Sequence, residues 1–471
     1  MGGDGGSSAA NFSCQLPRIA IQLPGPRGSD VSMRFTLTPW PVFLIFPLIA
    51  ACGSGVLDEP FCSDAVEAPA PATGELTWWR DVEPITAQKC GRCHDEGGPA
   101  GFSLGTYSAV LANQDAIHAA VVTRRMPPWL AADCCAAYFQ DASLTDDEIA
   151  TITGWIDAGA PEGDAADAPE PREPVGGLSR VDLTLPIPEP YTPAPPEGST
   201  DDLRCFVLDW PETESRYVTG LAPEPDQREI VHHLIVSVVG KDSVDAVLAL
   251  DEADPGPGFD CAGGTGDLPT ITPIGGSLQG GDYPRGIGTL VEPGSKIVLQ
   301  VHYSLAGAPV VVPDQTSVSF RLDDTAVAAS GIVIANPMWL VAGGMHVAAG
   351  DPDAVFTYQY RPTLLTGGKP VDLQGVTPHM HRHASKIRVV TVRADGSTDC
   401  LLEIDDWDFG WEQPYWLAEP HRFDPTDELY IECHFDNSAA GQPDGDSPAD
   451  FAWGDNDQDM CVGFLSFTGA E

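Results

Sequence analysis

Short apolar runs, set off by glycine, proline and aspartate, punctuate the chain from residue 204 to its end. They fall at 204–208, 230–239, 296–302, 317–322, 331–334, 355–360, 387–392, 428–433 and 462–467. β-Branched and aromatic residues dominate them, and such residues suit a pleated, half-buried surface. Runs of this length separated by turn residues predict strands of an all-β region, with no helix longer than about two turns. A different period precedes them. Thr145-Asp146-Asp147-Glu148 is a capping box, and Ile149, Ile152, Trp155 and Ile156 form one apolar stripe that Gly159 and Pro161 stop. A second helix is predicted over 78–88, with Pro84 in its early turns.

These patterns divide the chain. Met33 and Arg34 open an apolar segment through Val42-Phe43-Leu44-Ile45-Phe46 that is too short to span a bilayer comfortably, so 33–52 reads as a secretory signal. Its end resembles the lipobox of bacterial lipoproteins. That resemblance makes Cys52 the lipidated residue and places the protein on the periplasmic side of a bacterial envelope, anchored to the membrane, most simply the outer one. Residues 1–32, with Cys14, then fall outside the mature protein. Residues 53–75 and 163–177 are rich in alanine, proline and acidic residues and read as linkers. Between them, 76–162 reads as a small all-α domain. After them, 178–471 reads as all-β, of β-sandwich type.

Composition narrows the partners. The chain carries 69 acidic against 24 basic residues, a net charge of −45, so nucleic acid and anionic lipid surfaces repel it. With 44 prolines and 49 glycines but only 20% charged residues, it reads as loop-rich rather than disordered. Twelve cysteines in a lysine-poor chain suit an oxidising compartment.

Cys90-Gly91-Arg92-Cys93-His94 has the spacing of c-type haem attachment: two thioethers fix the porphyrin and the histidine ligates iron. Cys-x-x-Cys also occurs in zinc and redox sites. The next cysteines, Cys134-Cys135, are adjacent and poorly spaced for zinc, and no βαβ pattern surrounds the motif. Arg125-Met126-Pro127-Pro128-Trp129 resembles the distal-ligand loop of class I cytochromes c, which makes Met126 the iron ligand opposite His94. A core role for Met126, with His118 as the ligand, is the alternative.

The remaining chemistry is histidine. In Thr377-Pro378-His379-Met380-His381-Arg382-His383, strand alternation puts His379 and His381 on one face, where two imidazoles can clamp a metal. Val231-His232-His233-Leu234 and Gln300-Val301-His302-Tyr303 lie inside apolar runs upstream, and Asp459-Met460-Cys461 lies downstream. His232 and His233 are adjacent, so a flat strand points them apart; a bulge or strand end is needed for both to reach one metal. The run 455–459 starts like a calcium loop, but Met460 stands where glycine is required and Ser466 where the bidentate glutamate belongs.

The order of these motifs over about 180–471 resembles the copper type II, ascorbate-dependent monooxygenases, the peptidylglycine α-hydroxylating and dopamine β-monooxygenases. The resemblance implies two jelly-roll domains, 178–328 and 329–471, with one copper ion each. His232, His233 and His302 would hold an electron-transfer copper. His379, His381 and Met460 would hold the oxygen-binding copper, where a thioether favours Cu(I). It also implies a Cys433–Cys461 disulfide; Cys205 and Cys261 are a further candidate pair, and Cys62, Cys134, Cys135 and Cys400 have no assignable partners. The fold class is therefore a small all-α cytochrome c domain followed by two all-β jelly rolls. The implied cofactors are two copper ions and one covalently bound haem c. The implied partners are O2, a small-molecule substrate and an envelope electron donor. One departure matters. The arginine, asparagine and tyrosine that hold a substrate carboxylate in the peptide-hydroxylating relatives are Thr377, Val462 and Phe464 here. The implied activity is hydroxylation of a C–H bond of an uncharged or hydrophobic substrate, with electrons entering through the haem. The alternative is a non-enzymatic electron-transfer or copper-holding envelope lipoprotein. A haem peroxidase fits less well, because a methionine ligand closes the iron.

Overall fold

The protein was analysed as a computed structural model that describes residues 56–470, except 58–59, 63–68, 96–99, 101, 172–174, 197–198, 262–270, 277–279, 285, 306–309, 340–343, 443–446 and 455–457. The signal segment with Cys52, the extension with Cys14, and 455–457 of the calcium-like run lie outside the described residues. Val56–Glu471 forms one compact unit.

Four larger sheets build it. The first runs in the order Leu183–Pro186, Ser317–Asp323, Arg216–Glu224, Ile287–Val291, Val327–Ala328. The second runs Phe259–Asp260, Asp201–Asp209, Lys296–Ser304, Val231–Val239, Ile271–Gly276. The third runs Ser330–Ile334, Val462–Gly469, Val371–His379, Tyr415–Phe423, and the fourth Ala354–Tyr360, Glu428–Phe435, Ala384–Val392, Thr398–Ile404. The first and second share a core that includes Phe206, Val218, Val236, Leu299, Val301 and Phe320. The third and fourth share another, with Leu373, Val389, Leu402, Ile431 and Phe467. Each fully buried side chain of this size stabilises by about 1.5–3 kcal/mol. Lys296–Ser304 is buried along almost its whole length. Its Val298 faces away from the first core into a small cluster with Val247 of the helix Val244–Ala253 and the Cys205–Cys261 disulfide. A strand covered on both faces needs apolar residues at successive positions, and here it has them.

The fold class read from the sequence is corrected. Among the described residues the chain is mostly β, 36% strand against 18% helix, with five short α-helices and no all-α cytochrome domain. In place of a helical domain followed by two jelly rolls, the larger sheets are disposed like the blades of a four-bladed propeller. Helices do form where the period predicts them. Trp78–Val82, Glu83–Ile85 and Thr86–Cys90 run on continuously, with the wider π winding on either side of the turn that holds Pro84. Proline removes a donor and crowds the preceding turn, which accounts for that widening. Asp146–Asp157 starts on the complete Thr145/Glu148 capping box and buries Ile149, Ile152 and Trp155 against Trp78 and Val82.

What keeps these helices from standing apart is the chain that follows Met126. Ala131 and Tyr138 belong to the core of the third and fourth sheets. The Ala132 N–H donates to Glu403 O at 2.8 Å, Phe139 to Trp416 O at 2.7 Å, and Ala418 to Ala137 O at 2.9 Å, so 137–139 runs along the edge strand Tyr415–Phe423. Two disulfides fasten the same stretch: Cys62–Cys134 and Cys135–Cys400. With Cys205–Cys261 and Cys433–Cys461, four bonds fit an oxidising compartment. Among the described residues no helix is long and apolar enough to cross a membrane.

Candidate metal centre

The strand Val231–Val239 pairs with Lys296–Ser304, and its register slips between Val231 and His233: Val231 faces Tyr303, His233 faces His302, and His232 is the extra residue. This is the bulge that two adjacent histidines need to converge. The donor atoms of His232, His233 and His302 all lie within 4.8 Å of one another, with His232 Nδ1 and His233 Nδ1 3.1 Å apart. His302 Nε2 lies 3.1 Å from Asp201 Oδ1, so the ring N–H donates to the carboxylate there. That fixes the tautomer and leaves Nδ1 as a lone pair. His302 Nδ1 is buried and has no hydrogen-bond partner. An orphaned acceptor beside two further imidazole nitrogens is the arrangement a metal ion satisfies. Burial holds His232 down to about 4. Burial likewise holds His233 well below its ordinary value. Neutral rings are the metal-binding form. Burial opposes the charge of Asp201, but the hydrogen bond from His302 outweighs it and holds the carboxyl at about 2.

His379 closes the strand Val371–His379, and His381 lies in the turn beyond it. Their Nε2 atoms are 3.2 Å apart. His381 Nδ1 is 3.1 Å from the Gln458 carbonyl, which takes its proton and leaves Nε2 to face His379. Fully buried Asp459 shapes the turn. Its Oδ1 accepts the His381 N–H at 2.7 Å and the Met460 N–H at 2.8 Å, and its Oδ2 accepts the His383 N–H at 3.0 Å. Trp407 Nε1 donates to His381 O at 3.1 Å. One carboxylate oxygen thus ties the backbones of His381 and Met460 together, and the Cys433–Cys461 bond pins the next residue. Burial, then the neighbouring His379, lowers the His381 ring, so it too is neutral.

The two histidine sets converge. The rings of His233 and His379 have centroids 6.1 Å apart. Phe409 stands among them, 4.4 Å from the His232 ring and 5.6 Å from that of His381. Glu412 lies between the sets, 2.8 Å from His379 Nδ1 and 3.7 Å from His233 Nδ1. The positions that replace the carboxylate-binding residues are also here. Thr377 faces Phe464 and His379 faces Val462 across an antiparallel pair, and the Phe464 ring is 6.1 Å from that of His379.

The haem-type motif lies on the helical segment. The Cys93 and His94 N–H groups both donate to Cys90 O, so the two cysteines share one turn. They are the free cysteines among the described residues, where every other cysteine is bonded. His94 Nδ1 meets Phe102 O at 3.3 Å, leaving Nε2 for a metal. Free paired thiols and an oriented imidazole fit covalent haem. Met126 follows the helix Gln114–Val122, its N–H on Ala120 O. His118 sits on that helix, its Nε2 4.0 Å from Asp157.

Sequence reading did not find Asp201, Phe409, Glu412 or the role of Asp459. The Asp-Met-Cys tripeptide held a signal for the last. Nothing near Glu412 in sequence marks it.

No family model matches the chain, and no curated protein matches it. Among solved structures, PNGF-II is similar at a TM-score of 0.26 and 11% identity, over 61% of this chain and 65% of that one. The chain thus spans less than two thirds of PNGF-II. A secreted protein from Parabacteroides distasonis is similar at a TM-score of 0.14 and 7% identity, over 61% of this chain and 89% of that one. Scores this low carry no argument about fold or function.

Proposed function

We propose that the chain is a copper-dependent monooxygenase that hydroxylates a C–H bond of an uncharged or hydrophobic substrate with O2, electrons entering through haem at Cys90 and Cys93. The observation that carries the reading is the convergence of the His232/His233/His302 and His379/His381 sets on opposite sides of Glu412. Copper held by these donors supplies one-electron chemistry and the activation of O2. The chain does the rest. Asp201 keeps the proton on His302 Nε2, and the Gln458 carbonyl keeps it on His381 Nδ1, so each ring offers its other nitrogen. Asp459 and Trp407 fix the turn that carries His381 and brings Met460 beside it. Thr377, Val462 and Phe464 give the approach to His379 no charged group, which favours a substrate without a carboxylate. Lipidation at Cys52 would hold the protein on the periplasmic side of an outer membrane.

Metal analysis of the purified full chain tests this, with two coppers and one haem iron per chain expected. Oxygen uptake in the presence of candidate hydrophobic substrates should then disappear in Met460→Ala. A chain that loads copper and haem but never consumes O2 is an electron-transfer or copper-holding lipoprotein instead. Labelling with radioactive palmitate, abolished by Cys52→Ser, tests the anchor.

A further inference from the structure

We infer that Phe409 is the gate of this centre: its ring holds the place between the two histidine sets that an apolar substrate takes, and the turn that carries it swings aside to admit one. The inference rests on the hydroxylase reading above and says what the site admits. The Phe409 ring lies 4.4 Å from that of His232, 5.6 Å from His381, 6.1 Å from His302 and 6.2 Å from His233, so it meets both sets at once. Against His232 it is inclined by only 32°, so the two rings face each other across most of their area. Among the described residues Phe409 belongs to none of the apolar cores. It stands half-buried between exposed Asp408 and Gly410. A phenyl ring that leaves a surface turn to pack on four imidazoles, rather than on a core, holds a place that another apolar group can take.

The turn Phe409–Trp411 can move as a unit. Trp407 is fixed before it: its N–H donates to Ser385 O at 2.9 Å and its Nε1 to His381 O at 3.1 Å. Gln413 is fixed after it, with Nε2 donating to Pro128 O at 3.0 Å and to Tyr415 Oη at 3.2 Å. Between these anchors, the hydrogen bonds of 408–411 among the described residues stay inside the turn. The Gly410 N–H donates to Asp408 Oδ1 at 2.8 Å and the Trp411 N–H to Asp408 O at 2.9 Å. Swinging the turn outwards therefore breaks ring contacts but none of these bonds. A few loop residues between two fixed points are what lids hinge on. The space the ring leaves is that of one phenyl group, and it suits an apolar, ring-sized part of a substrate.

The test uses the full chain with copper removed and toluene as the apolar probe. A para-fluorophenylalanine placed at Phe409 reports the ring by fluorine NMR. Its resonance should start where the His232 ring shifts it and move to that of a solvent-exposed fluorophenylalanine as toluene saturates. Phe409→Ala has no ring to displace, so it should bind toluene about tenfold more tightly by isothermal titration calorimetry, with wild-type near-UV circular dichroism. A fluorine resonance that stays in place at saturating toluene, or an affinity unchanged in Phe409→Ala, overturns the inference and makes the ring fixed packing. Should Phe409→Ala fail to fold, the fluorine titration decides alone. Metal analysis of the wild-type chain keeps the two readings apart. A ring that yields to toluene in a chain that takes up no copper removes the copper reading, and the gate survives as that of an apolar binding site.

Discussion

Asp201 and Asp459 each serve one histidine set, and they do it by opposite means. Asp201 binds a ring: it takes the His302 N–H, and that contact holds its carboxyl at about 2 against burial. Asp459 binds backbone: it takes three main-chain N–H groups around His381, and burial pushes its carboxyl up. One set is tuned by where a proton sits on an imidazole. The other is tuned by the shape of a turn. Damage to the first should cost metal affinity with little loss of fold, and damage to the second should cost both.

Asp459→Ala should show the largest effect. It leaves three buried or half-buried N–H groups without an acceptor, at about 1–3 kcal/mol each, so urea unfolding should lose about 3 kcal/mol or more. One copper per chain should disappear with it, the other staying bound at His232/His233/His302. Equal loss of both coppers would show that the two regions are not separable. Deleting His232 comes next and cuts the other way. The deletion restores a regular ladder at the bulge. Stability should stay within about 1 kcal/mol of wild type, while equilibrium dialysis shows the first copper lost. A large loss of stability would mean that the bulge serves the sheet rather than the metal.

Asp201→Asn should be milder. The amide frees the His302 tautomer without removing a ligand, so copper affinity should fall about 10–100-fold, as losses of such supporting carboxylates do. The smallest effect is on acid stability of the metal-free chain. The folded carboxyl of Asp201 titrates at about 2, below its ordinary 3.8. Its contribution is therefore complete above about pH 4 and is lost as pH falls through 4 towards 2. Unfolding curves of wild type and Asp201→Asn should differ at pH 6 and converge near pH 2. A difference that persists at pH 2 would assign the effect to packing.

Alternation and capping made the elements legible. The run 230–239 is the strand Val231–Val239, 462–467 lies in Val462–Gly469, and the Thr145 box opens Asp146–Asp157. Those signals are local, and the sequence carries them whole. The division into domains is not local. Nothing in the period of Trp129, Ala131 or Tyr138 reveals that they pack into sheets built from residues about two hundred or more positions later. The converging histidines were legible because histidines on apolar strands are conspicuous. Asp201 and Glu412 were not, because single acids among 69 acidic residues look alike until a fold brings two of them against imidazoles.

The adjacent Cys134 and Cys135 bear on how this molecule is made. Their partners lie on opposite sides of them, 72 residues earlier and 265 residues later. A chain that emerges from its amino end presents Cys62 and Cys134 together early, while Cys135 must wait for Cys400. Oxidation that runs ahead of synthesis therefore meets an idle thiol beside a freshly formed bond, ready for exchange. Once Cys400 arrives, the stretch from 62 to 135 is fastened to the fourth sheet, and a nick anywhere between residues 62 and 134 leaves two pieces that still travel together until a reductant is added.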